Sequence, residues 1–105
     1  MKEKTVVELK EMMDSGAEFQ LIDVREPHEF DVCNINGELL PLGDLLSGVD
    51  NISKTIPVII HCRSGARSAA AINELEKRFG FENLYNLKGG ILAWVKEIDP
   101  TLSTY

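Results

Sequence analysis

Cysteine and histidine are scarce in this 105-residue chain, at two each, and each scarcity removes a class of function. Two cysteines, Cys33 and Cys62, cannot form the multi-bridge framework on which small secreted domains depend, so reduced thiols and a cytoplasmic home are expected. A zinc site from His28, Cys33, His61 and Cys62 would lack any C-x2-C or H-x3-H pair. On a strand, moreover, His61 and Cys62 point to opposite faces, so no metal is expected. Positive charge is also short, with 11 Lys and Arg against 17 Asp and Glu and a net charge of -6. That balance repels phosphate backbones and anionic lipid, which argues against nucleic acid and membrane surfaces as partners. No apolar run approaches the ~20 residues of a membrane span, and Met1-Lys2-Glu3-Lys4 is not followed by the apolar stretch of a secretory signal. No repeat or low-complexity linker divides the chain, so residues 1–105 read as one domain.

What is present is an alternation of helical and strand patterns. Thr5-Val6-Val7-Glu8 has the form of a capping box, and Val6, Leu9, Met12 and Met13 recur at helical spacing until Gly16, predicting a helix from Val6 to Ser15. Phe19 to Val24 reads as a buried strand, and Pro27 to Asp31 as one helical turn with Pro in first position. Leu39 to Leu46 carries strand and short-helix character together, and periodicity does not choose between them. Ile56 to Cys62 is a continuous apolar run suited to the middle of a parallel sheet. Ala66 to Phe79 follows as a helix whose buried face is Ala69, Ile72, Leu75 and Phe79, ended by Gly80. A short strand, Leu84 to Leu87, then leads through Lys88-Gly89-Gly90 to a last helix anchored by Trp94 and closed by Pro100. The alternation implies an α/β domain in three layers, a mainly parallel central sheet with helices on both faces and functional loops at the carboxyl ends of the strands.

The segment richest in chemistry is His61-Cys62-Arg63-Ser64-Gly65-Ala66-Arg67-Ser68. It sets a cysteine at the end of a buried strand and directly ahead of a helix, where unpaired backbone N–H groups converge on whatever occupies the loop. Those donors and the charges of Arg63 and Arg67 are expected to lower the Cys62 thiol into the reactive range and make it a nucleophile. Gly65 allows the loop to curl. The plain alternative is a small apolar residue finishing a strand, the commonest use of a buried cysteine.

These residues bring a resemblance with them. Leu21-Ile22-Asp23-Val24-Arg25-Glu26-Pro27-His28-Glu29-Phe30, the loop Cys62 to Ser68, and Leu87-Lys88-Gly89-Gly90-Ile91-Leu92-Ala93-Trp94 resemble, in order, three motifs of the rhodanese domains. That family includes sulfurtransferases and shares ancestry with the Cdc25-type phosphatases. Sulfurtransferase-type loops resemble C-x4-R, as here with Cys62 and Arg67, whereas the phosphatases carry C-x5-R, and the position they need as Arg is Ser68. The resemblance therefore implies a rhodanese-like fold and a two-step transfer. Cys62 takes sulfur from a donor such as thiosulfate as a persulfide and passes it to a nucleophilic acceptor, with no metal or organic cofactor. It further implies that Arg63 and Arg67 orient the anion and that the N–H groups of Arg63, Ser64, Gly65, Ala66, Arg67 and Ser68 hold the outer sulfur. Asp23, Arg25 and Glu29 could be read as catalytic acids and bases, but the resemblance implies that they brace the loops around the site by ion pairs.

Two features narrow the resemblance. Cys33-Asn34-Ile35 stands where many members have Gly-His-Ile, and the stretch from Gly37 to Pro41 is one residue shorter than usual. The shorter stretch is a departure that bears on local loop geometry, whereas a cysteine at position 33, together with the ending from Gly89 to Tyr105, is similar to the C-terminal rhodanese domains of adenylyltransferase/sulfurtransferase proteins that activate ubiquitin-like sulfur carriers. Partners implied are a small anionic sulfur donor or a persulfide donor protein, a sulfur-carrier protein and an adenylyltransferase. A module that docks such a partner, with little turnover alone, is the competing reading. Cys33 is read as a buried small residue, with a thiol that resolves the Cys62 persulfide as the alternative. His61 is read as a core histidine rather than a general base.

Overall fold

The computed structural model describes residues 1–105. Its elements in chain order are β1 (Glu3–Lys4), α1 (Val6–Asp14), β2 (Gln20–Asp23), α2 (Pro27–Val32), β3 (Glu38–Leu39), β4 (Val58–His61), α3 (Ala66–Phe79), β5 (Leu84–Leu87) and α4 (Gly90–Glu97). The five strands form one sheet in the order β1-β5-β4-β2-β3, and every pairing is parallel.

Helix α1 starts where its capping box dictates: Thr5 Oγ1 accepts from the Glu8 N–H at 3.1 Å, and Glu8 accepts from the Thr5 N–H at 2.9 Å. It ends one residue earlier than expected, with Ser15 as C-cap ahead of Gly16 in the left-handed region. The ambiguous stretch after Gly37 resolves into both of its characters, the short edge strand β3 followed by 3₁₀ turns over Leu42–Asp44 and Val49–Asn51. β1 has no apolar pattern to announce it and exists because Lys2 and Lys4 carbonyls accept from the N–H groups of Asn86 in β5 and of Lys88 just after it. Both edge strands are two residues long, which limits pairing with other chains.

Side chains alternate across the sheet, as a period of two requires. Ile22, Val24, Val58, Ile60 and Cys62 pack beneath Ala71, Ile72 and Leu75 of α3. Leu21, Ile59 and Leu87 pack on the other side against Val6 and Leu9 of α1 and Ile91, Trp94 and Val95 of α4. The three layers are thus an α1/α4 layer, the sheet and an α3 layer. The buried face of α3 is Ser68, Ala71, Ile72 and Leu75, while Ala69 and Phe79 are only half-buried. The helix is rotated because the first buried position on it is the Ser68 beside Cys62.

Parallel register fixes where the strands end. Asp23 lies opposite His61, and Ile60 opposite Asn86, so the loops after β2, β4 and β5 emerge together at one edge of the sheet.

Candidate active site

β4 ends at His61, and the chain turns through Cys62, Arg63 and Ser64 to Gly65, whose φ of 114° makes the turn into α3. That conformation is open to glycine and strained for other residues. The first turn of α3 then aims its free N–H groups at the cysteine: Gly65 N donates to Cys62 Sγ at 3.1 Å and Ser68 N at 3.5 Å, with the Ser68 hydroxyl 3.4 Å away.

The loop is held from the opposite side by α4. Ile91 and Leu92 N–H groups donate to the carbonyls of Cys62 and Arg63 at 3.0 and 3.1 Å. Gly90, at φ 60°, packs so tightly here that a Cβ would sit 2.7 Å from the Cys62 oxygen and closer still to that of Arg63. Gly90 and Gly65 therefore let one helix terminus close against the Cys62 loop while another opens onto it.

Burial pushes the Cys62 thiol up, but hydrogen bonds from the Ser68 hydroxyl and from the Ser68, Gly65 and Ser64 N–H groups outweigh it and hold the thiol below its ordinary value. The arginines contribute less than the sequence suggested, because both are engaged elsewhere. Arg67 makes a double bond pair to Glu29, at 2.6 and 2.8 Å, and reaches the sulfur only through space. Arg63 donates through Nε to the main-chain oxygen of Tyr105 at 2.9 Å.

Asp23, Arg25 and Glu29 come together as one network beside this loop. The Arg25 guanidinium, fully buried, donates to both Asp23 oxygens (Nε to Oδ1 at 2.9 Å, Nη2 to Oδ2 at 2.7 Å). It also reaches the Cys33 carbonyl at 2.8 Å and the Tyr105 hydroxyl at 2.9 Å. Burial pulls the Arg25 pKa down, but its bonds to Asp23 and Tyr105 outweigh this and raise it, so the guanidinium stays charged. Glu29 is held far below the usual carboxylate range by Arg67, against the opposing effect of burial.

His61 is fully buried and kept neutral by that burial, which the nearby Asp23 only partly offsets. Its Nε2 lies 3.5 Å from Asp23 Oδ2 but is not aligned as a hydrogen bond, so the contact is no ion pair. His28 is exposed, and no three of the chain's His, Cys, Asp and Glu side chains gather as metal ligands. Cys33 sits in the α1/α4 core and Cys62 in the α3 core, so the sheet separates the two thiols. That placement favours the small buried residue over the resolving thiol.

Two residues of the site escaped the sequence reading. Asn86, at the end of β5, bonds the Ser68 hydroxyl at 2.6 Å; its place one residue before the Leu87-Lys88-Gly89-Gly90 motif was the available signal. Tyr105 lays its ring over the Arg25 and Arg63 guanidinium groups, 5.6 and 5.1 Å from centroid to carbon. Eighty residues separate it from Arg25, and no local pattern marks it. A surface groove of about 900 Å³, lined by Phe19, Ile35, Trp94 and Leu102 among others, contains none of the loop residues. The Cys62 sulfur is served by a small cradle of N–H groups instead.

The model of the rhodanese-like domain matches residues 5–97. The chain belongs to the rhodanese-like domain family. The probable adenylyltransferase/sulfurtransferase MoeZ of Mycobacterium tuberculosis is 36% identical over 102 residues, covering 93% of this chain and 26% of that protein. The adenylyltransferase and sulfurtransferase MOCS3 of Drosophila willistoni is 33% identical over 94 residues, covering 81% of this chain and 21% of that protein. This rhodanese-like chain thus spans about a quarter of the length of these curated relatives. The crystal structure of a rhodanese-like domain protein from Staphylococcus aureus superposes with a TM-score of 0.83 at 29% identity, covering 100% of this chain and 99% of that one. Fold and family agree with the resemblance read from the three motifs. The domain is related to sulfurtransferase domains, and no helix in it is long and apolar enough to cross a membrane.

Proposed function

We propose that residues 1–105 work as one sulfurtransferase unit in which Cys62 carries sulfur as a persulfide. The observation that carries this reading is the Cys62 sulfur itself, set at the focus of the α3 N-terminus with N–H donors from Gly65 and Ser68 and a depressed thiol pKa. In the first step the thiolate attacks the outer sulfur of thiosulfate. A Cys62 S–S bond forms, the donor's S–S bond breaks, and sulfite departs with the electron pair. In the second step a nucleophilic acceptor such as cyanide bonds to the outer sulfur, and the thiolate is released. Atoms and electrons balance without a further redox partner.

The Gly65 and Ser68 N–H groups that now serve Sγ, together with those of Arg63, Ser64, Ala66 and Arg67 in the same turn, would hold the persulfide's outer sulfur. Arg63 and Arg67 would orient the anionic donor, exchanging Tyr105 and Glu29 for its oxygens. Asp23, Arg25 and Glu29 brace the β2 and α2 ends of the site. Two free thiols suit a reducing compartment such as the cytoplasm.

A second reading has its own support. Relatives named as adenylyltransferase and sulfurtransferase are about four times longer than this chain, which favours a module that receives sulfur from a persulfide donor protein and delivers it to a carrier protein activated by an adenylyltransferase. Intact mass after incubation with thiosulfate and desalting tests the step both readings share. One added sulfur atom is expected in the wild type and not in Cys62→Ala, and cyanide should remove it. Sulfur retained by Cys62→Ala would refute the assignment. Steady-state thiosulfate:cyanide turnover then separates the readings: turnover favours the enzyme, and loading without turnover favours the module.

A further inference from the structure

Ser68 has one hydroxyl proton and three acceptors within reach: Asn86 Oδ1 at 2.6 Å, the Gly65 carbonyl at 3.2 Å and Cys62 Sγ at 3.4 Å. The shortest contact goes to Asn86, not to the sulfur. The Asn86 amide cannot be turned to offer its NH₂ instead, because Nδ2 already donates to the Gly65 carbonyl at 3.1 Å and a flip would set two oxygens together. Asn86 is buried, so an unpaired Oδ1 has no water to replace Ser68. The strand register explains the placement: Asn86 of β5 stands opposite Ile60 of β4, and from there its amide reaches into the space under the turn.

We propose that Asn86 is a positioning residue that tunes Cys62 by competing with its sulfur for the single hydroxyl proton of Ser68. While the sulfur is a thiol, S–H donates to Ser68 Oγ and Ser68 O–H donates to Asn86 Oδ1, leaving every group paired. When the thiol gives its proton to solvent, the hydroxyl turns to Sγ and Asn86 Oδ1 loses its only donor. Once Sγ is bonded to a transferred sulfur and no longer carries the charge, the proton returns to Asn86. The hydroxyl thus follows the charge on the sulfur, and Asn86 restrains how readily that charge forms.

The other ionisable groups around the loop do not supply this restraint. Arg63 and Arg67 lie within it, His61 precedes it on β4, Asp23 and Arg25 stand at the end of β2, Glu29 comes from α2, Tyr105 from the tail and the exposed Lys88 from the β5–α4 turn. Asp23 is bonded to Arg25 and Glu29 to Arg67. None of these side chains is hydrogen-bonded to Sγ or to the Ser68 hydroxyl. The proposal rests on Cys62 being the reactive thiol, and its test reads the thiol directly, without turnover.

The experiment is the pH dependence of iodoacetamide alkylation of Cys62 in the full chain, resolved from Cys33 by peptide mass. Asn86→Leu removes the acceptor and keeps the branched shape; Asn86→Ala serves if the bulkier leucine does not fold. The Gly65 carbonyl retains the Ala69 N–H at 3.1 Å in either variant. The expected result is a Cys62 titration shifted down by about 0.5–1 pH unit, so about three- to tenfold more thiolate below the midpoint. In the Ser68→Ala background the same Asn86 substitution should change nothing, because the shared proton is gone. A merely structural Asn86 would loosen the N–H cradle and shift the titration upward in both backgrounds. An upward or absent shift in the Ser68 protein, or a downward shift that persists in Ser68→Ala, overturns the proposal. If wild-type Cys62 itself titrates no lower than an ordinary thiol, the reading of it as the activated nucleophile fails instead.

Discussion

Substituting Gly90 by alanine tests whether the closure of α4 onto the Cys62 loop is as tight as the geometry states. Two costs follow. The φ of 60° strains a residue with a Cβ by about 1–2 kcal/mol. The new methyl group would also stand 2.7 Å from the Cys62 carbonyl oxygen, so backbone must move, at the about 1–3 kcal/mol typical of overpacking. Gly80→Ala is the matched control, since Gly80 has nearly the same φ, 71°, with nothing within 4 Å of the added carbon; only the strain is expected there. Urea unfolding should thus show a loss near 1–2 kcal/mol for Gly80→Ala and about 2–5 kcal/mol for Gly90→Ala. Alkylation of Cys62 should discriminate further. Displacing the loop stretches the Ile91 and Leu92 bonds to the Cys62 and Arg63 carbonyls and spreads the N–H donors, so Gly90→Ala should slow thiolate reactivity near neutral pH while Gly80→Ala leaves it alone. If the two variants lose the same stability and keep the same reactivity, the α4 terminus does not hold the loop.

Arg25→Met should leave Asp23 buried without its partner and cost about 3–5 kcal/mol in urea unfolding, whereas a loss under about 1 kcal/mol would mean that the carboxylate finds another donor or water. Glu29 is expected to make stability pH-dependent: its folded pKa is depressed by Arg67, so its contribution is present above the unfolded carboxylate value of about 4.3 and is lost as pH falls toward the folded value. The urea midpoint of the wild type should therefore fall between about pH 5 and pH 2 more steeply than that of Glu29→Gln, and parallel curves would show that the Arg67 pair carries no such linkage.

Much of the molecule was readable from local pattern because local physics decides it. The capping box at Thr5, the apolar run from Ile56 to Cys62 and the helical face between Ala66 and Phe79 each state their element within one window of chain, and alternation of such windows specifies a parallel sheet with helices on both faces. The first edge strand escaped and the other stayed ambiguous for the converse reason. Glu3–Lys4 and Glu38–Leu39 are strands only because β5 and β2 present backbone partners to them.

The cysteine at a strand-to-helix turn, the glycines at left-handed positions and the C-x4-R spacing are likewise written in the sequence, since each is a property of neighbours in the chain. Which group lowers the Cys62 thiol is not. The sequence places Arg63 and Arg67 beside the sulfur, but long side chains choose partners across space, and here they choose Tyr105 and Glu29, leaving the N–H groups and Ser68 to do it. Cys33 and Cys62 could be distinguished as partners or strangers only once the sheet lay between them. Asn86 became part of the site through the β4–β5 register, and Tyr105 through a tail returning over eighty residues to Arg25. The sequence by itself determined the long elements, the fold family and the Cys62–Ser68 loop as the candidate site, all set by contacts near in the chain. Tertiary structure alone decided the partners of the charges and of the Ser68 proton, because those contacts join residues that only folding brings together.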